Sequence, residues 1–243
     1  MSESKNALDR DSVGIELVLN KGSVVLEQWM GPTNEVADLN VVNAARQSFG
    51  KTSVGMGASE KGLINFLARE RHGTPFEMVQ FLFQVKCPIF VAREWMRHRI
   101  GSYSEFSSRY SKMNTDFYVP NHEQIRTQKG KPGYYVFEAM SEDEASAVWY
   151  SMFECSQNSW DKYEELLDSG VAKEVARMVL PVNMYTSFTW SVNLRSLFNF
   201  VSLRSHETAL WEIQQYSKAI EKLIKPIVPC AYECFEKNGR KAP

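Results

Sequence analysis

The segment Arg93 to Arg109, REWMRHRIGSYSEFSSR, puts four arginines within seventeen residues, beside Glu94, His98, Glu105 and Ser107. Arg93 and Arg97 are one helical turn apart and would share a helix face. Guanidinium groups this crowded repel one another unless carboxylates or bound anions neutralise them. A planar guanidinium donates two parallel hydrogen bonds, which suits phosphate oxygens. The segment reads either as a phosphate-binding cluster or as a solvated charged turn paired with Glu94 and Glu105.

A second set lies downstream. Arg177 sits in the apolar run Val175 to Leu180, Arg195 and Asn199 share a helical face behind Asn193, and Arg204 follows. An arginine in apolar sequence needs a partner if buried, and Glu174 or Glu207 could serve in place of a ligand. The whole chain has 28 Lys plus Arg against 29 Asp plus Glu, a net charge of −1. No general basic excess explains two arginine sets, so a local anion pocket gains weight, while a nucleic-acid coat does not fit the charge balance. His72 stands at a Gly-Pro turn and His206 can cap a helix end. No G-x-G-x-x-G follows a strand and no Walker lysine is present, so a dinucleotide would bind outside those two frameworks.

The elements that must position these groups follow from the pattern. Gly14 to Leu19 and Ser23 to Gln28 are β-rich runs around the turn signal Asn20-Lys21-Gly22. Val36 to Ser48 and Ser59 to Arg71 are predicted helical, and His72-Gly73-Thr74-Pro75 breaks the second. Met78 to Val85 is predicted as a strand, and Pro88 opens a helix toward Arg97. Ser102 to Tyr118 is predicted irregular with short strands, and Asn121 to Tyr134 as an exposed loop. Ser141 with Glu144 makes a capping box, and Gly170 ends the helix that it starts. A short helix covers Lys173 to Leu180, Tyr185 to Val192 is strand-like, and helices follow near Arg195 to His206 and Ala209 to Lys225. Strands and helices mix without regular βαβ alternation, which favours α+β. One domain over residues 13–236 is expected, between tails at 1–12 and 237–243.

The N-terminus lacks a signal-peptide core, and no apolar run reaches membrane-span length. Cys87, Cys155, Cys230 and Cys234 include one C-x3-C pair, too few ligands for a structural metal. Buried reduced thiols in a cytoplasmic protein are the expectation, with neither membrane nor nucleic acid as partner.

Together these residues resemble the flavin-dependent thymidylate synthase (ThyX) family. Its hallmark is R-H-R, seven residues, then Ser; here that is Arg97-His98-Arg99 through Ser107, with Arg109 after it. The family's H-x-T-P-F-E segment is present as His72, Thr74, Pro75, Phe76 and Glu77, and its A-A-R-x-S segment as Ala44 to Ser48. The later arginine pattern runs through Arg177, Asn193, Arg195, Asn199 and Arg204. The match spans about residues 24 to 225, in the family's order.

The resemblance implies an α+β fold with a curved antiparallel sheet flanked by helices, and a homotetramer whose active sites lie at subunit interfaces. It implies that FAD is held by Ser48, Thr74 and Glu77 and by Arg97, His98, Arg99 and Ile100. Asn193, Arg195 and Asn199 would add contacts from a neighbouring subunit. The nucleotide dUMP would be held by Glu105, Ser107, Arg109, Arg177 and Arg204, with Glu94 beside it. NADPH and 5,10-methylenetetrahydrofolate would be cosubstrates. Arg204, Ser107 and His72 are the candidate catalytic residues. Ser107 is read as a positioning group, since an unassisted serine is a weak nucleophile.

Three positions depart from the family pattern: Met78 stands where many members have histidine, Glu94 where glutamine is expected, and Leu210 where glutamine is often seen. Two rivals remain. A cysteine-dependent thymidylate synthase would use Pro229-Cys230, although Ala231 follows where histidine is usual. A nucleotide- or RNA-binding module would stack bases on Tyr103, Phe106 and Tyr110.

Overall fold

The computed structural model describes residues 14–31 and 37–243. The expected tail at 1–12 and the predicted helix start at Val36 lie outside the described residues. Contacts gather into two compact units. The first consists of the described residues up to Cys87 with Val91–Glu105 and Ser187–Pro243; the second consists of Pro88–Phe90 with Phe106–Thr186.

The first unit is built on a five-stranded sheet in the order β1-β2-β3-β7-β4. Its strands are β1 (Gly14–Val18), β2 (Gly22–Trp29), β3 (Gln80–Pro88), β4 (Ser102–Glu105) and β7 (Tyr185–Asn193). β1 pairs with β2, β2 with β3, and β4 with β7, each antiparallel. The β2–β3 register slips between Leu26 and Gln28; such a bulge bends a strand and raises its twist. β3 and β7 alternate buried and half-buried residues along most of their length, as strands with one covered face should.

Helices cover that face. They are α1 (Asp38–Arg46), α2 (Ala58–Arg69), α6 (Leu194–Arg204), α7 (Trp211–Ile224) and α8 (Pro229–Lys237); α3 (Ile89–Trp95) continues directly from β3. α7 packs on β1 and β2, α6 on α7, and α2 on α8. α8 starts with Pro229 at its first turn, where a missing N–H costs nothing. Two of its other orphan N–H groups, those of Cys230 and Ala231, donate to the buried carboxylate of Asp38 at 2.7 and 2.8 Å. The core centres on Trp95, whose ring lies 4.7 Å from Phe200, 5.3 Å from Trp190 and 5.5 Å from Phe188. All four rings are buried, and burial of each such side chain contributes about 1.5–3 kcal/mol.

The second unit is organised by α4 (Glu142–Asp168). The predicted capping box is present: Ser141 Oγ accepts from the Glu144 amide, and Glu144 Oε2 accepts from the Ser141 amide at 3.1 Å. Gly170 follows with φ +82°, the left-handed stop expected of it. Trp160 and Tyr163 of α4 pack with Met113, Ala176 and Met184. α5 (Lys173–Ala176) passes into a 3-10 turn at Arg177–Val179. The predicted loop at Asn121 to Tyr134 is instead largely ordered: β5 (Arg126–Lys131) and β6 (Tyr134–Ala139) form an antiparallel hairpin, exposed along both strands. Among the described residues no helix is long and apolar enough to cross a membrane.

Candidate active site

The arginine-rich segment leaves α3 as a turn, and this places Arg97, His98 and Arg99 on the wall of a cavity of about 640 Å³. The opposite wall comes from α6, through Arg195, Asn199 and Arg204. Arg97 and Arg99 of the first arginine set and Arg195 and Arg204 of the second, about a hundred residues apart in sequence, therefore meet within the first unit, whereas Arg93, Arg109 and Arg177 are not among the residues that line this cavity. Arg97 and Arg99 form no ion pair among the described residues. Ala242 and Pro243, expected to be tail, also line this cavity.

Arg204, the last residue of α6, is clamped to the exit of α3. Its Nε donates to His98 Nε2 at 3.0 Å, its Nη2 to the Glu94 carbonyl at 2.9 Å, and its Nη1 to Glu94 Oε2 at 3.3 Å. An imidazole nitrogen that accepts from a guanidinium cannot carry a proton, so His98 is the neutral tautomer protonated at Nδ1. Burial, reinforced by the Arg204 charge, lowers the His98 pKa to about 4. The ring edge packs on Phe200 at 4.9 Å, so the aromatic core fixes the imidazole. Burial raises the Glu94 carboxyl above its ordinary range, while Arg204 partly opposes this.

Arg195 is held from two sides. Its Nη1 pairs with Glu77 at 2.7 Å, and its Nε donates to the Pro243 carbonyl at 2.9 Å. It also lies directly over Gly73: a Cβ there would come within 2.3 Å of Arg195 Nε. The glycine of the His72-Gly73-Thr74-Pro75 turn thus admits a side chain from α6, a role its sequence context did not disclose. Asn193 is the N-cap of α6, its side chain accepting from the Ser196 amide at 2.8 Å.

A second cavity of about 970 Å³ in the same unit is lined by Ser48, Phe49, Phe66, His72, Thr74 and Met78, among others. It is mainly apolar, and His72 meets Phe66 edge-on at 5.7 Å. Ser48, Thr74 and His72 are thus brought together, in a cavity separate from the one lined by Arg97 and Arg204. Ile100 is exposed at the rim of the first cavity. Glu105 ends β4, paired in register with Phe188.

In the second unit, Arg109 pairs with Glu174 at 3.1 Å, and Arg177 Nη1 donates to Ser108 Oγ at 3.0 Å. The Ser107 carbonyl accepts from the amides of Tyr110 and Ser111, so a turn presents Ser107. The sequence suggested Glu174 as an internal partner for Arg177; Arg177 Nε does donate to the Glu174 backbone carbonyl at 3.4 Å, but the carboxylate holds Arg109 instead. Ser108, the neighbour of the expected Ser107, escaped the motif-based reading. Arg109 and Glu174 are both about half exposed, so this pair is weak and easily exchanged for a ligand.

No group of three or more His, Cys, Asp or Glu side chains that could hold a metal occurs among the described residues. The donors around the first cavity suit a different guest. Several guanidinium groups, an amide and a neutral imidazole match the diphosphate and ring heteroatoms of a flavin dinucleotide.

Comparison with known proteins bears on the same residues. The sequence profile of the thymidylate synthase complementing protein family matches residues 32–230. The flavin-dependent thymidylate synthase of Thermotoga neapolitana is 43% identical over 224 residues, covering 92% of this chain and 95% of that protein. The enzyme of the same name from Thermus thermophilus is 43% identical over 221 residues, covering 91% and 78%. Among solved structures, the UMP/dUMP methylase PolB from Streptomyces cacaoi, bound with 5-Br UMP, superposes with a TM-score of 0.82 at 36% identity, covering 92% of this chain and 97% of that one. With its motifs in order, its fold matched and Arg97, Arg99, Arg195 and Arg204 on one cavity, the chain belongs to the thymidylate synthase complementing protein family, that of the flavin-dependent thymidylate synthases.

Proposed function

We propose that this protein is an FAD-dependent thymidylate synthase, which methylates dUMP to dTMP with 5,10-methylenetetrahydrofolate as one-carbon donor and NADPH as reductant. The observation that carries this reading is the cavity between the α3 exit and α6, where Arg97 and Arg99 face a common space with no ion pair among the described residues, in a chain of net charge −1. Bound flavin supplies the hydride chemistry that side chains lack.

The residues supply binding, orientation and charge. Arg97 and Arg99 neutralise phosphate oxygens, and Arg195 and Asn199, expected from a neighbouring subunit but on the same chain's cavity here, add donors from α6. The neutral His98 holds Arg204 without adding charge to the cavity. Arg204 offers its remaining N–H groups to the pyrimidine, where they stabilise negative charge as C5 becomes nucleophilic; one such preorganised donor is worth roughly 3–4 kcal/mol. Ser107, Arg109, Arg177 and Glu105 hold the nucleotide, with the Arg109–Glu174 pair opening to release its guanidinium. Ser107 positions rather than attacks, because the nearby histidine in sequence, His98, has its Nε2 occupied by Arg204. His72, Ser48 and Thr74 face flavin and folate. Several of these groups are exposed in the single chain, in keeping with a homotetramer in which neighbouring copies complete each site.

The test is anaerobic: flavin-loaded protein receives NADPH with and without dUMP, then methylenetetrahydrofolate, and the products are analysed for dTMP. UMP is run in parallel, since PolB is a UMP/dUMP methylase. Formation of dTMP that requires flavin and folate is expected. A colourless protein that takes up no FAD and makes no methylated pyrimidine would sink the reading.

A further inference from the structure

Glu94 occupies a place where the family pattern leads one to expect glutamine, and it does not line the cavity. It lies on α3, with its carboxylate directed to Arg204 of α6. Two of the three hydrogen bonds that fix the Arg204 guanidinium come from this one residue, one through the carboxylate and one through the backbone carbonyl. The third comes from His98, four residues on. A guanidinium has five N–H donors; with three taken, two remain for a ligand. The Arg204 side chain is 18% exposed, so those two are offered from a nearly closed wall.

We propose that Glu94 is the positioning residue of Arg204 in this chain, fixing the guanidinium so that its two free donors point at the pyrimidine. The argument rests on the thymidylate synthase reading for the identity of the ligand, and on geometry for the role. An arginine at a helix end has many rotamers, and ordering it costs conformational entropy if nothing holds it. A carboxylate at 3.3 Å and a carbonyl at 2.9 Å meet that cost before substrate arrives. Glutamine in the same place would accept the same bond without charge. Glutamate makes the bond charge-assisted and also makes it dependent on protonation. The charged groups around the Glu94 carboxyl are Arg204 on α6, Glu212 on α7 and Arg97 beyond the end of α3. Burial and Glu212 favour the protonated form; the two arginines oppose it. Acidification therefore loosens the clamp from the Glu94 side.

Two variants of the full-length, flavin-loaded enzyme test this. Glu94→Ala is expected to lower kcat for dTMP formation by about tenfold or more, within the ~10²-fold cost of a misplaced catalytic group, with the KM for dUMP changed less than kcat and flavin content unchanged. Glu94→Gln is expected to restore kcat to within a few-fold of the parent, and to abolish the fall in kcat on the acidic side of the pH profile. Flavin content and thermal melting establish that both variants fold. Parent-like kcat and parent-like pH profile in Glu94→Ala would overturn the proposal. So would a Glu94→Gln enzyme as slow as Glu94→Ala, because an intact acceptor would then have failed to position Arg204. Absence of dTMP from the parent enzyme would instead count against the function itself, which keeps the two failures distinct.

Discussion

Arg204 Nε donates to His98 Nε2 at 3.0 Å, so the central histidine of the R-H-R motif is an acceptor rather than a cation. Its pKa of about 4, against an ordinary value of 6.5, follows from burial first and the neighbouring guanidinium second. Between pH 4 and 6.5 the unfolded chain binds a proton here that the folded chain refuses. Stability contributed by neutral His98 is thus complete above about pH 6.5 and lost as pH falls toward 4. Allowing for partial solvent exposure, the loss is on the order of 1 kcal/mol. Urea midpoints of the parent and His98→Gln, compared across that window, should diverge, with the parent falling more steeply on acidification. Parallel curves would show that His98 is not held neutral.

Gly73 is required by what passes over it. In Gly73→Ala the new methyl group would lie 2.3 Å from Arg195 Nε and 2.6 Å from its Cδ. An arginine side chain can move, so the substitution should displace Arg195 and break its pair with Glu77 instead of unfolding the chain. Titration with FAD should give an affinity weakened by about three- to tenfold, the ~1 kcal/mol scale of a half-exposed ion pair. The melting temperature should be nearly unchanged. Unaltered FAD affinity would mean that the position of Arg195 is immaterial to flavin.

Asp38→Ala should act on stability and leave flavin affinity alone. The carboxylate caps the first turn of α8 through two buried amides, and leaving them unpaired costs about 2 kcal/mol. Burial outweighs those bonds and raises the Asp38 pKa from 3.8 to about 6. The folded chain therefore holds the extra proton between these values, and the contribution of Asp38 to stability decreases as pH rises from about 4 to 6. Asp38→Asn should keep part of the cap and lose that dependence. Denaturant unfolding at pH 4 and pH 7 reads both effects; an Asp38→Asn protein with the parent's pH slope would refute the assignment.

Cys230→Ala should retain dTMP formation within about twofold. The thiol is buried, and its hydrogen bond with Cys234 together with burial pushes its pKa upward, so it supplies no thiolate nucleophile. An inactive but well-folded variant would revive a cysteine-dependent route.

Much of the scaffold was legible where local chemistry is self-sufficient. The Ser141–Glu144 box and the Gly170 stop bound α4 as read, because both depend only on residues a few positions apart. The β5–β6 hairpin was missed for the opposite reason. Both strands are exposed, so no apolar alternation marks them, and its Gly130-Lys131-Pro132-Gly133 turn read as loop composition. α8 lies beyond the last predicted helix, Ala209 to Lys225, although Pro229 marks its start. Motif order singled out Arg97, His98, Arg99, Arg195 and Arg204, which the structure brings to one cavity. Partner choice was not legible: Arg109 with Glu174, Arg177 with Ser108, and Arg195 with Pro243 join positions 65, 69 and 48 residues apart, and spacing alone cannot rank such pairs.

The Asp38 cap on α8 spans 192 residues, and this has a consequence for how the protein is born. At roughly 5–20 residues per second, α8 is translated some 10–40 seconds after Asp38. For most of that interval the emerging polypeptide holds β1 to β3 and α1 without β7 beside the sheet, and for all of it without α8 over α2. Ribosome-bound chains should therefore be sensitive to protease across β1 to β3 and α1 until α8 emerges. The nascent enzyme would then depend on chaperones for longer than its modest length suggests.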